Sequence, residues 1–131
     1  MGLQSERKVL LALNRECADE RVLCCARNIA LRVDAGIEVL LIPSDGRMPT
    51  ALEAFLERLR QDDVSWRLIH GTGDPARETV RYANDHEAVL CVVIDALENW
   101  TDGIQGAGKG NDPWKKLECP LVVAAVCEPK A

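Results

Sequence analysis

At 131 residues, 47% hydrophobic and 28% charged, with no repeat, linker or low-complexity tract, the chain reads as one globular domain spanning residues 1–131 rather than a disordered or solenoid protein. A formal net charge of -5, with no basic run longer than Lys115-Lys116, argues against a nucleic-acid partner. Apolar stretches such as residues 121–127 fall far short of the ~18 residues a membrane helix needs, and residues 1–8 hold no signal-peptide core, so a cytoplasmic protein without membrane insertion is expected.

The first strand covers residues 8–13, is nearly all apolar and therefore central, and ends at Asn14. A helix follows from about Cys17 or Asp19 to Asp34. Val22, Ala26, Ile29 and Val33 share its apolar face, Arg21, Arg27, Asn28 and Arg32 lie mostly off it, and Gly36 ends it. On the helical wheel Cys25 joins the core stripe, whereas Cys17 and Cys24 fall together on the far side and are expected to be exposed. Residues 37–42 form the second strand. The sequence Pro43-Ser44-Asp45-Gly46 is turn chemistry, and a helix of about three turns begins near Pro49, with the capping-box pair Thr50 and Glu53 and the apolar stripe Leu52, Phe55, Leu56 and Leu59.

Residues 66–94 read as strand, sharp turn, capped helix and strand. The third strand is β-rich from Val64 to Ile69, with His70 at its end; Gly71 and Gly73 release the backbone, Asp74 is a natural N-cap and Pro75 suits the first helical position. Ala76, Val80 and Ala83 face inward while Arg77, Glu78, Arg81 and Asp85 face outward. The run from Ala88 to Ile94 is apolar on both faces, as a strand inside a parallel sheet requires, and the helix supplies the right-handed crossover. Past Asp95 the pattern breaks into a turn of helix and a glycine-rich loop carrying Gly103, Gly106, Gly108, Lys109 and Gly110. Asp112-Pro113 then opens a short helix over residues 114–118, and Pro120 opens a last strand through Val126.

The six cysteines lie in predicted helices and strands of a domain that needs no staples, so reduced thiols are expected. No C-x-x-C pair occurs and the only histidines are His70 and His86, so no metal site is expected. Both histidines have local accounts, a turn hydrogen bond for His70 and the helix dipole for His86. The only serines are Ser5, Ser44 and Ser65; with no nucleophile elbow and no Ser/His or Cys/His spacing, no catalytic residue is assigned.

The chain resembles the universal stress protein family across nearly its whole length. The resemblance is carried by the opening strand and long first helix, the Gly73-Asp74-Pro75 turn followed by Thr79, Val80 and Ala83, the strand from Leu90 to Ile94, and the ending Leu117-x-Cys119-Pro120-Leu121-Val122-Val123. It implies a three-layer α/β fold, a doubly wound five-stranded parallel sheet in order 3-2-1-4-5 of the adenine nucleotide alpha hydrolase-like type. It also implies ATP binding in some members but not others, a stress-response role, and a homodimer through the last strand, here from Leu121 to Val126.

In such a sheet a ligand crevice lies beyond the carboxyl ends of strands one and four, where the strand order reverses. The candidate binding residues there are Asn14, Asp95, Gly103, Gly106, Gly108 and Lys109: glycine N–H groups running into a helix can cradle phosphate, and Lys109 adds a point charge. The rival reading of the loop is a plain connector. By the resemblance, ATP-binding members carry Asp where this chain has Asn14, a Gly-x2-Gly-x9-Gly-Ser/Thr loop, and glycine after strand four. Here Gly103 and Gly106 begin the loop pattern, but Lys116 stands at the later glycine and Ile94-Asp95 ends the strand. Gly103 to Lys109 is also a Walker A fragment, with Gly110 in place of the magnesium-binding Ser or Thr and in the wrong place in the fold. Trp100 and Trp114 flank the loop and could stack on adenine or pin the loop by packing. The expected function is a non-enzymatic regulatory or partner-binding module without ATP; the alternative is an ATP or AMP sensor or slow nucleotide hydrolase, with ATP and Mg in that crevice.

Overall fold

The computed structural model describes residues 7–14, 20–42, 50–95 and 113–124. Strands β1 (Lys8–Asn14), β2 (Gly36–Ile42), β3 (Trp66–His70), β4 (Val89–Ile94) and β5 (Leu121–Val123) form one parallel sheet in order β3-β2-β1-β4-β5, the order expected. The described connections are α1 (Glu20–Val33), α2 (Thr50–Gln61), α3 (Pro75–Asp85) and a 3-10 turn, Pro113–Lys116. Val9, Leu11 and Leu13 of β1 pack into the core that α1 and α2 share, while Leu10 and Ala12 pack into the core beneath α3. Alternation of side chains along one buried strand therefore supplies both layers.

Helix α2 buries Leu52, Phe55, Leu56 and Leu59, the stripe read from the sequence. Helix α1 is turned from its expected face: Val22, Leu23, Ala26 and Ala30 are buried, whereas Cys25, Ile29 and Val33 are only partly so. The reason is a second neighbour. α1 packs against α2 as well as the sheet, and the Arg27 Nε to Asp62 Oδ2 ion pair at 2.7 Å draws that flank toward the end of α2.

Both helices stop by the same device, and neither uses glycine. Asp34 and Asp63 take left-handed φ values of 57° and 63°. Beyond them, Ala35 N–H donates to Ala30 O at 2.9 Å and Val64 N–H to Leu59 O at 2.9 Å, the six-to-one bond of a Schellman end. Asp34 therefore ends α1, correcting the assignment of Gly36. Gly36 instead begins β2, where a Cβ would lie 2.6 Å from Ser65 Oγ. Val64, the first residue of the β-rich run, is held to the end of α2, and β3 starts at Trp66, where the strand–turn–helix–strand unit was read to begin.

α3 opens as the sequence indicates: Asp74 accepts a hydrogen bond from Arg77 N–H at 3.0 Å, and Pro75 follows as the first helical residue. Ala76, Thr79, Val80 and Ala83 are buried. β4 is buried along its length except at Leu90. Two expectations near the end are corrected. The helix over residues 114–118 is a single 3-10 turn, because the Asn84 side chain donates to Lys116 O and accepts from Glu118 N–H, each at 2.9 Å, tying the chain to α3. The last strand spans only Leu121–Val123, and Ala124 already leaves it; residues 125 and 126 lie outside the described residues.

Cys24 is exposed, Cys25 and Cys119 are partly buried and Cys91 is buried; none of the four is in a disulfide, and Cys17 and Cys127 lie outside the described residues. Among the described residues no group of His, Cys, Asp and Glu is placed to hold a metal, and no helix is long and apolar enough to cross a membrane.

Replacing Asp63 with glycine removes the left-handed penalty on a side chain, partly offset by the freer unfolded chain, and should raise stability by about 0.5–1 kcal/mol in urea denaturation. Burial pushes the Cys91 thiol up to about 11 from 9.0. The unfolded chain then loses this proton at lower pH than the folded one. Its stabilising effect is complete below about pH 9 and is lost as pH rises through 11. Urea midpoints should fall between pH 8 and pH 10.5, and less steeply in Cys91→Ala.

Candidate functional site

β1 and β4 lie side by side while the chain leaves them toward opposite edges of the sheet, so the switch point falls at their carboxyl ends. Asn14, the last residue of β1, is in register with Ile42 of β2. Asp95 follows Ile94 directly and is only 9% exposed. The fold thus brings Asn14 and Asp95 to one edge, as anticipated. Gly103, Gly106, Gly108, Lys109 and Trp100 lie outside the described residues.

The start of α3 borders the same edge. Gly71 N–H donates to Leu41 O at 2.8 Å, and a Cβ on Gly71 would sit 2.9 Å from Ile42 Cγ1, so only glycine lets the turn fold this closely over the end of β2. Asp74 then caps α3, and the Thr79 hydroxyl is buried beneath the helix without a hydrogen bond among the described residues. On the far side of β4, Trp114 packs against the α3-side core together with Leu117 and Cys119. That placement accounts for Trp114 by packing, the commoner use of such a side chain.

The two histidines sit at opposite ends of the molecule. His70 closes β3, beside Leu41, at the carboxyl edge. His86 caps the C-terminus of α3; its Nδ1 lies 2.7 Å from Tyr82 O, and its ring stacks on Tyr82 at 4.0 Å. A carbonyl oxygen only accepts, so Nδ1 carries the proton.

One polar residue was missed in the sequence. Glu38 lies within the apolar run GIEVLLI of β2 and is 6% exposed. The Tyr82 hydroxyl donates to its Oε1 at 2.7 Å, and Arg67 Nη1 approaches Oε2 to 4.0 Å. Burial, then the Glu38 carboxylate beside it, raises the Tyr82 hydroxyl above its ordinary value, so this phenol remains a donor. A charged residue in a strand otherwise buried on both faces was the available signal.

No protein-family model and no curated protein sequence matches the chain. Solved structures do. A universal stress protein from Archaeoglobus fulgidus superposes with a TM-score of 0.55 at 17% identity, covering 88% of this chain and 97% of that one. The universal stress protein UspA from Lactobacillus plantarum gives 0.53 at 18% identity, covering 92% and 98%. The Archaeoglobus fulgidus protein in complex with dAMP gives 0.55 at 16% identity, covering 88% and 96%. The chain has the universal stress protein fold. At such identities the likeness concerns backbone architecture, the adenine nucleotide alpha hydrolase-like arrangement of five parallel strands flanked by helices, and the chemistry of the crevice must be argued from this chain's own residues. Against the universal-stress pattern described above, two residues at the crevice differ: Asn14 replaces a carboxylate and Asp95 replaces a glycine.

Proposed function

We propose that this universal-stress-like chain is a non-enzymatic regulatory or partner-binding module of the cytoplasm whose crevice does not hold ATP with useful affinity. The observation that carries this reading is Asp95, a buried carboxylate at the mouth of the switch point. A glycine there would let a phosphate approach the backbone, whereas the Asp95 side chain adds bulk at that point. The segment entering β5 is a four-residue 3-10 turn, too short to contribute a helix dipole to a phosphate. Asn14 and the lost Gly-Ser/Thr turn remove two charge-assisted contacts at ~1.5–3 kcal/mol each, together about two to four orders of magnitude in affinity.

The second reading is a nucleotide sensor or slow hydrolase using Asn14, Asp95, Gly103, Gly106, Gly108 and Lys109, with Mg and ATP. It is favoured by the likeness to a protein solved with dAMP. Isothermal titration with MgATP and with dAMP separates the two. The expected dissociation constants lie above about 100 μM; a value below about 10 μM, weakened by Lys109→Ala, would replace the module by the sensor.

The module reading includes self-association. β5 is an outermost strand, apolar, uncharged and only partly buried, and an open edge of that kind pairs most simply with its own copy about a twofold axis. A homodimer through the segment from Leu121 to Val126 should sediment as such at tens of micromolar, and Val123→Lys should shift it to monomer. A monomeric wild type in analytical ultracentrifugation removes this part of the proposal.

A further inference from the structure

The end of the sheet opposite Asn14 and Asp95 carries a second pocket, of about 550 Å³, below the C-terminus of α3. Its size falls within the ~300–1,000 Å³ of small-molecule sites. Arg7 and Lys8 at the start of β1, Glu38 of β2, His86 and Glu87 after α3, and Leu90 of β4 contribute to its walls. It exists because α3 is short. Tyr82 covers the inner part of Glu38, and the chain then turns at His86 into β4, so among the described residues no helix lies above the first rows of β1, β2 and β4.

Glu38 is the residue that needs explaining. A buried carboxylate is costly unless donors surround it. Oε1 accepts from Tyr82 at 2.7 Å, but the only described cation near Oε2 is Arg67 at 4.0 Å, beyond hydrogen-bond range and with a side chain 71% exposed, where pairing contributes little. Oε2 thus keeps unused acceptor capacity in a group that lines the pocket. The Tyr82 ring is itself fixed by stacking on His86 at 4.0 Å, so the acceptor is held in place before any ligand arrives.

The signs of charge narrow the ligand. A simple anion would meet Glu38 and Glu87, and a simple cation would meet Arg7 and Lys8. A bare metal ion lacks a ligand set, because the described residues hold no suitable group of three. A molecule with an ammonium and a carboxylate on one carbon answers both signs at once, with the apolar surface of Leu90, 36% exposed, beside it. We propose that this pocket binds a zwitterionic ligand of the α-amino-acid class, its ammonium donating to Glu38 Oε2 and its carboxylate facing Arg7 and Lys8. The site is independent of the crevice at the other end of the sheet and of the function proposed for it.

Titration of the full-length 15N-labelled chain with L-leucine, 4-methylpentanoate and 3-methylbutylamine, followed by amide NMR shifts, tests the assignment. L-leucine should give saturable shifts at Lys8, Glu38 and the 86–90 segment, and each half-ligand should bind at least about tenfold more weakly, the loss of one charge-assisted contact. Glu38→Gln, which keeps the acceptor for Tyr82, should weaken L-leucine about tenfold and strengthen 4-methylpentanoate, which no longer meets that carboxylate. Should Glu38→Gln not fold by circular dichroism, the rim variant Arg7→Gln/Lys8→Gln should weaken L-leucine and spare 3-methylbutylamine. Absent saturation, equal binding of a half-ligand, or shifts confined to Asn14 and Asp95 would overturn the proposal.

Discussion

Everything in this molecule hangs on the parallel ladder that holds β1 between β2 and β4. β1 is buried from Val9 to Leu13, and its alternating side chains feed two cores on opposite faces. A strand with no solvent face must be covered on both sides, and parallel neighbours must be reached by crossovers, so helices above and below the sheet are a consequence of those five residues rather than an independent feature. The same ladder makes the strand order reverse at β1 and β4. It therefore fixes where one end of the sheet can open to a ligand.

The two ends of the sheet are built differently. At the carboxyl end, close packing dominates: Gly71 folds against Ile42, Thr79 is sealed beneath α3, and Asp95 is nearly covered. At the amino end α3 has already stopped, and Arg7, Lys8 and Leu90 line a pocket at whose inner wall Glu38 lies. The difference follows from the length of one helix. Pro75 and Asp74 fix where α3 begins, and the Asn84 side chain, bonded to Lys116 O and Glu118 N–H, fixes how its last turn meets the approach to β5. A longer α3 would roof the polar row; an uncapped one would loosen the carboxyl edge.

What could be read in the sequence was what depends on period and on local chemistry. The α2 stripe, the cap at Asp74 and the all-apolar β4 followed from spacing alone, because each element has one dominant neighbour. The face of α1 did not, since that helix answers to both the sheet and α2, and a single-period wheel cannot represent two neighbours. The first helix was read to Asp34, but the device that ends it, and α2 at Asp63, was hidden for a different reason: a left-handed aspartate is not signalled by its own identity, and the Schellman bond that accompanies it is made by the residue that follows. Glu38 escaped notice because a lone carboxylate among Ile, Val and Leu looks like an interruption until Tyr82 is brought to it from 44 positions away. Of the candidate crevice, the position of Asn14 and Asp95 was legible from topology, since both follow strands that the switch point joins.

Fold likeness and site chemistry part at Asp95. Three universal stress structures share this architecture at 16–18% identity, which fixes where backbone runs and says little about what the crevice holds. Backbone conformation at the end of a parallel strand tolerates many side chains, so the fold survives an exchange of glycine for aspartate there. A ligand at that edge meets the side chain as well as the backbone, so the same strand end can face different chemistry in different chains. What the crevice holds is therefore set by the side chains at this edge and not by the backbone path that the three structures share.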